Sequence, residues 1–301
     1  MNASIFVLAL MDGVSYAALL FLVALGLTLI FGVMRVLNVA HGSLYAWGGY
    51  FAATLGLAIT SLSLPPWLAL PALFVAAIVI GGLLGTVLEL TLLRRILDKD
   101  PILQLLVTFA AFMVLEDLQR LIWGVQPVFV SGVVDQLGTL EVAGVTYTRY
   151  QLLVLPAVAI AAFVGLRWFL GRTALGRQVT AVTHHREVAT AMGVNTGRVM
   201  WLTMALGGML GALGGALASP TTSFTPGIGA DMMVLSFAVV ATAGLGQIGG
   251  AALAALLIGL ARSFAVYLMP ELEVLMPYLI MVLVLLVRPE GLFSTVAARR
   301  I

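Results

Sequence analysis

Residues 171–199 read GRTALGRQVTAVTHHREVATAMGVNTGRV, the longest polar interval in a chain otherwise built from apolar runs. Small and branched apolar residues recur through this stretch at roughly helical spacing, and Gly193 followed by Asn195 is typical of a helix end. The stretch contains the arginines Arg172, Arg177, Arg186 and Arg198. We predict one or two short amphipathic helices outside the apolar runs, in a loop that is open to a partner.

Composition places this loop beside a membrane. Hydrophobic residues make up 62% of the sequence and charged residues 9%, with a mean hydropathy of +1.13, whereas soluble domains carry about a quarter charged residues. The chain is therefore predicted to cross a membrane several times. Its net charge of +2 does not indicate nucleic-acid binding, because the arginines flank apolar runs instead of forming a patch. The absence of cysteine excludes disulfides and thiolate metal sites.

The apolar runs define the architecture, since about 20 apolar residues cross 30 Å of hydrocarbon. They cover residues 5–34, 43–60, 67–93, 102–123, 151–170, 200–218, 232–243, 251–268 and 274–287. We predict an all-α membrane bundle of about eight or nine elements, some of them re-entrant or broken helices, forming one domain over residues 1–301. No Lys or Arg precedes the first run, so a conventional signal peptide is not expected.

Residues 124–150 are too short and too polar to cross a membrane, and their valines alternate with turn residues. We predict a small hairpin on the outer surface.

The side of the membrane on which each loop lies follows from the positive charges, because Lys and Arg are concentrated in cytoplasmic loops. Most of the 15 Lys and Arg residues fall on the side of residues 171–199, including Arg35, Arg94, Arg95, Lys99, Arg167, Arg288, Arg299 and Arg300. That loop and the C-terminus are predicted to be cytoplasmic, which leaves the N-terminus outside.

Within the polar loop, Glu187, Val188 and Ala189 are followed after three residues by Gly193. This pattern resembles the EAA-x-x-x-G loop of permease subunits of ABC importers, with Val188 in place of the second alanine. The resemblance implies that residues 171–199 form a coupling loop, in which a short helix docks on a separate ATPase subunit. The implied coupling residues are Arg177, Arg186, Glu187, Ala189, Gly193 and Asn195.

Three further stretches narrow the family. GLTLIFGVMRVLNVAHGSLY at residues 26–45 resembles the N-terminal signature of the branched-chain amino acid permease family of ABC importers, and GLGQIGG at 244–250 and RPEGLF at 288–293 resemble its later motifs in the same order. Members carry branched-chain and other amino acids, amides and urea, so the solute stays open. The resemblance implies a multi-pass subunit of a bacterial-type inner membrane. Its implied partners are two ATPase subunits, a second homologous permease subunit and an extracytoplasmic solute-binding protein.

The chain itself has no G-x-x-x-x-G-K-[ST] phosphate loop, and its single lysine, Lys99, lies beside Asp100 and Pro101 rather than in a Gly-rich turn. We therefore expect no cofactor on this chain, no catalytic residue, and ATP–Mg bound by partner subunits.

Several residues are candidates for the translocation path, because broken helices in transporters line polar paths with backbone groups. They are Asn38, His41, Gly42, Ser43, Gly246 and Gln247. The alternative is that Asn38, His41 and Ser43 cap helix ends at the membrane surface and that the glycines at 244–250 form a structural turn. His41 is not expected to bind a metal, because no other ligand lies near it in the sequence.

Glycines recur every four residues at Gly207, Gly211 and Gly215, a spacing that places them on one helix face and favours close helix packing. Glu116, Asp117 and Arg120 are expected to pair with one another. Arg262 and Glu89 are the charges deepest in apolar sequence, so each is a candidate for a buried pair or a pore lining.

Three rival functions are disfavoured. An ion-coupled secondary transporter would need more membrane acids. An intramembrane enzyme would need more than Ser43 near His41, without a third orienting group. An ion channel would need a recognisable filter or a ring of charges.

Overall fold

A computed structural model of the chain describes residues 3–142 and 144–293. Arg299 and Arg300, which entered the orientation argument, lie outside the described residues. The helices are α1 (Ala3–Met34), α2 (His41–Ser61), α3 (Pro66–Ile96), α4 (Pro101–Trp123), α5 (Gly132–Leu137), α6 (Tyr150–Arg172), α7 (Ala174–His184), α8 (Arg186–Ala191), α9 (Thr196–Ala218), α10 (Ile228–Ala243), α11 (Ile248–Leu268) and α12 (Met276–Val287). The strands are β1 (Thr139–Val142) and β2 (Val145–Thr148), which pair antiparallel.

The predicted all-α membrane bundle is confirmed. Six helices, α1, α3, α4, α6, α9 and α11, are long and apolar enough to cross a membrane. The shorter apolar helices α10 and α12 and the glycine-rich α2 bring the described elements to the predicted range. Residues 61–66, SLSLPP, separate α2 from α3, and Pro66 opens α3, a position where a helix does not need the missing N–H.

α1 is the central helix. Of its most apolar 18-residue stretch, 89% is buried inside the bundle, against 17% for α4 and for α6. Leu22 and Leu25 of α1 are completely inaccessible to solvent. The other helices pack around α1, and those with exposed apolar faces are the ones that would contact lipid.

The bundle has two ends, which we name the coupling end, after the coupling loop expected at residues 171–199, and the hairpin end. At the coupling end, the last residues of α1 and Arg35 line a cavity together with His184–Val188 of the polar loop. At the hairpin end, Tyr147 of β2 donates a hydrogen bond to Asp12 near the start of α1. The described cations Arg35, Arg94, Arg95, Lys99 and Arg288 lie toward the coupling end, whereas Arg120 and Arg149 lie toward the hairpin end.

α2 and α10 begin in the middle of the bundle. His41, the first residue of α2, contacts the Val23 carbonyl of α1 through Nε2 at 3.0 Å. Gly42 packs on Gly229 in the first turn of α10, where an added Cβ would lie 2.2 Å from the Gly229 carbonyl oxygen. From this shared origin α2 runs to the hairpin end and α10 to the coupling end. These are the broken elements that the sequence led us to expect.

The start of α2 differs from its predicted position. The second apolar run was expected to begin at residue 43, but the helix begins at His41. A buried backbone must satisfy its hydrogen bonds internally, and the helical turn provides them, since Ser43 N–H donates to the Ala40 carbonyl. The irregular backbone is therefore limited to residues 35–40, and we name these residues and the first turn of α2, up to Ser43, the polar break.

Glycines on one face of α9 let neighbouring helices approach it closely. These glycines, Gly207, Gly211 and Gly215, face Ile30, His41 and Tyr45 respectively. A Cβ added at Gly215 would lie 1.8 Å from the Tyr45 carbonyl oxygen, so backbone meets backbone at this contact.

We predict that Gly215→Ala destabilises the protein by about 1–3 kcal/mol, because the new methyl group cannot fit without moving α2. Gly165→Ala in α6 is the matched control, since no heavy atom lies within 4 Å of its added Cβ. The control should gain up to about 1 kcal/mol from helix propensity. Thermal unfolding of the detergent-purified variants measures both, and a melting temperature for Gly215→Ala at or above that of Gly165→Ala would contradict the packing argument.

Candidate functional site

The polar loop folds into two short helices, α7 and α8, that are held against the bundle. The Thr173 hydroxyl accepts a hydrogen bond from the Gly176 amide at 2.9 Å and so caps the start of α7. Val179 and Val182 of α7 and Ala189 of α8 are buried. The apolar face predicted for this stretch therefore packs inward, and the loop is a fixed part of the structure.

The outward face of α8 carries exposed apolar side chains beside charges. Val188 is 60% exposed and Met192 79%, and Glu187, which directly precedes Val188, is exposed as well. Arg186 forms an ion pair with Asp98 at 3.1 Å, which joins α8 to the end of α3. Exposed apolar residues rimmed by charge on a rigid element are typical of a protein-docking surface.

Two of the predicted coupling residues shape the end of this surface. Gly193 has φ +83°, a left-handed conformation that glycine adopts without strain, and it ends α8. Asn195 caps α9 by accepting a hydrogen bond from the Arg198 amide at 2.9 Å. Arg177 is exposed on α7 and directs one N–H to the Arg172 carbonyl.

Four of the predicted path residues lie together in the middle of the bundle. Asn38, His41 and Ser43 are almost completely buried, and Gly42 packs on α10 as described above. The hydrogen bonds of the polar side chains are weak, because Asn38 Nδ2 is 3.9 Å from Met204 Sδ and Ser43 Oγ is 3.5 Å from the Phe112 carbonyl. The His41 Nδ1 atom has no partner among the described residues.

The other two path candidates lie elsewhere. Gly246 has φ +83° and packs on Gly32 at the coupling end, and Gln247 precedes α11 there. About 13 Å of α1 separates Gly32 from Val23, the contact of His41, at 1.5 Å per residue. The sequence 244–250 is thus a turn between α10 and α11, and the re-entrant element begins instead after residues 219–227.

The charged candidates fall into local pairs. Arg120 pairs with Glu116 at 2.5 Å and with Asp117 at 3.4 Å, as expected. Glu89 is fully buried and accepts two hydrogen bonds of 3.0 Å from Arg94 near the coupling end. Arg262 pairs with Glu273 toward the hairpin end. None of these charges reaches the group around His41.

Sequence reasoning missed a polar cluster at the hairpin end. Asp12 accepts hydrogen bonds from the hydroxyls of Tyr147, at 2.6 Å, and Tyr267. Burial and the Asp12 hydrogen bond raise the pKa of Tyr147, so its phenol stays protonated and donates. The residues come from α1, β2 and α11, which are far apart in sequence, and only an acid inside the first apolar run hinted at them.

The arrangement has no catalytic constellation in the part of the chain that the structure describes, where no group of His, Cys, Asp and Glu side chains could hold a metal ion. It combines an exposed apolar and charged surface at one end, a polar break in the middle and a polar cluster at the other end.

Comparisons with known proteins identify the family of this chain. A family model described as "Branched-chain amino acid transport system / permease component" matches residues 9–285. The high-affinity branched-chain amino acid transport system permease protein LivH of Escherichia coli (strain K12) is 27% identical over 295 residues, covering 96% of each chain. The corresponding protein BraD of Pseudomonas aeruginosa is 26% identical, covering 95% of this chain and 94% of BraD.

The probable branched-chain amino acid transport permease protein LivH of Methanocaldococcus jannaschii is 28% identical over 263 residues, covering 84% of this chain and 78% of that protein. Because the family model spans most of the sequence, the chain belongs to the family of multi-pass permease components of branched-chain amino acid transport systems.

Proposed function

We propose that this permease subunit of an ABC importer translocates branched-chain or related amino acids, which a solute-binding protein delivers at the hairpin end. ATP–Mg is bound and hydrolysed on two separate ATPase subunits, and a second homologous permease completes the membrane part. The observation that carries the proposal is the family match over residues 9–285 together with a fixed, outward-facing α8.

The docking role of residues 171–199 rests on their exposure and on what lies behind them. Val188 and Met192 project from the bundle, while α7 and α8 pack on the last turns of α1 and on α9. A force applied to α8 would therefore pass directly into two helices that contact the polar break. The positive charges near this end favour its placement in the cytoplasm.

The path proposal rests on the polar break in the middle. Asn38 and Ser43 form only the long hydrogen bonds described above, and His41 Nδ1 has no partner among the described residues. These polar atoms could therefore bind a solute. Fixed charges are absent from this described group, so a zwitterion would meet backbone dipoles and hydroxyls. ATP binding would bias the equilibrium between outward-open and inward-open states, since it binds the two states with different affinity.

We predict that Glu187→Lys abolishes solute-stimulated ATP hydrolysis by the assembled complex and leaves membrane insertion intact. The substitution reverses an exposed charge beside Val188 without changing Ala189, which is on the buried face of α8. ATPase activity with and without solute in proteoliposomes measures the effect. Glu141→Lys, an exposed charge reversal on β1 at the hairpin end, is the control that should keep stimulation. Normal uptake by Glu187→Lys would count against the coupling role.

We predict that Asn38→Ala or Ser43→Ala changes the KM for solute uptake by roughly threefold to tenfold, the scale of one neutral hydrogen bond. Complex assembly and basal ATP hydrolysis should be unchanged. Ser219→Ala is the matched control, because this buried hydroxyl already donates to the Ala216 carbonyl at 2.8 Å. Uptake kinetics identical to wild type in both path variants would reduce these residues to structural caps.

A further inference from the structure

A polar cavity of about 200 Å³ opens at the hairpin end between α1, β2, α6 and α11. Asp12 and Arg262 bring opposite charges to its wall, while Leu19, Leu155 and Val266 supply an apolar side. Since one water occupies about 30 Å³ of liquid, the space suits a small solute and is too small for a folded peptide.

The carboxylate of Asp12 is held in place and lacks a cation. Tyr147 donates to its Oδ1 and Tyr267 to its Oδ2, which fixes both oxygens. In residues 3–142 and 144–293, no Lys, Arg or His nitrogen lies within 4.0 Å of it. A half-buried carboxylate without a positive partner favours a ligand that brings one.

Arg262 lines the same cavity from α11. Its guanidinium carbon lies 4.1 Å from the ring centroid of Tyr16, and Tyr16 follows Asp12 by four residues on one face of α1. Arg262 donates from one nitrogen to Glu273, and a guanidinium has five N–H donors, so further donors remain for a ligand.

We propose that this cavity binds a free α-amino acid as a zwitterion, with its ammonium group on Asp12, its carboxylate on Arg262 and its side chain against Leu19, Leu155 and Val266. The inference rests on the proposed function only in taking an amino acid as cargo. The site is distinct from the polar break around His41, and it binds the solute before the solute reaches the middle of the bundle.

The position along α1 fits an entry site. At 1.5 Å per residue the 32 residues of α1 span about 48 Å, well beyond 30 Å of hydrocarbon. Asp12 lies about 14 Å from the start of α1 on this scale, in the half of the helix nearer the hairpin end. A solute that enters at the hairpin end would therefore reach this cavity before the polar break.

The test is binding of radiolabelled L-leucine to the purified full chain in lipid nanodiscs, with two competitors. L-Leucinamide keeps the ammonium group and lacks the carboxylate, whereas 4-methylpentanoate keeps the carboxylate and lacks the ammonium group. We expect each competitor to displace leucine at least tenfold less effectively than leucine itself, because each loses one charge-assisted contact.

Two variants assign the contacts. Asp12→Asn should weaken binding of leucine and leucinamide by tenfold or more, whereas Arg262→Gln should weaken leucine by tenfold or more and leave leucinamide unchanged. Asp135→Asn and Arg149→Gln, which change exposed residues at the same end, should bind leucine as wild type does. A purely structural role of the cluster would not produce this selectivity between leucine and leucinamide.

No saturable binding, equal displacement by all three compounds, or wild-type affinity in Asp12→Asn would overturn the inference. If the variants fail to fold, the competition series on the wild-type chain still decides. ATP-driven leucine uptake by the assembled complex separates the two proposals. Uptake without binding at this cavity overturns the present inference alone, and absence of any amino-acid uptake overturns the proposed function.

Discussion

Backbone N–H and C=O groups inside a membrane must form their hydrogen bonds within the protein, and the rest of the structure depends on this requirement. α2 and α10 both start in the bundle interior, so their first N–H groups and the loops before them are surrounded by other helices. This is possible only if those helices approach to backbone contact. Gly42 against Gly229 and Gly215 against Tyr45 provide that approach, since any side chain at these glycines would overlap the neighbouring carbonyl.

The same contacts connect the two ends of the molecule. α9 begins beside the coupling loop, where Asn195 caps it, and carries Gly211 against His41 in the middle. α1 contacts the polar loop at its last turn and Tyr147 of the hairpin near its first turns. Closely packed helices transmit displacement because their interior has few voids to absorb it. A shift of α7 and α8 would therefore reach the polar break through α9 and α1.

Much of this fold was predictable from the sequence, because a long apolar run in lipid satisfies its backbone hydrogen bonds by forming an α-helix. The spans and the Arg120 ion pairs follow from local spacing and were confirmed. The apolar run at 232–243 predicted α10, but the sequence did not show that this helix begins in the middle of the bundle, because residues 219–227 read as an ordinary loop. Gly246 serves a tight turn, with φ +83° against Gly32.

The cluster around Asp12 could not be predicted for a different reason. Its partners Tyr147 and Tyr267 lie 135 and 255 residues away, and ordinary aromatic residues in apolar runs carry no functional signal.

The distribution of charge suggests how a zwitterion would be passed along. Ion pairs near the ends, such as Arg186–Asp98 and Arg262–Glu273, are at least partly exposed, and the described group around His41 contains neutral polar atoms only. A site with full charges binds an amino acid well but would release it slowly, whereas neutral dipoles hold it less strongly. Strong recognition at the hairpin end and weak contacts in the middle would therefore favour onward movement, since a solute held tightly at mid-depth would stop the cycle. The scarcity of charge inside this bundle is consistent with that requirement.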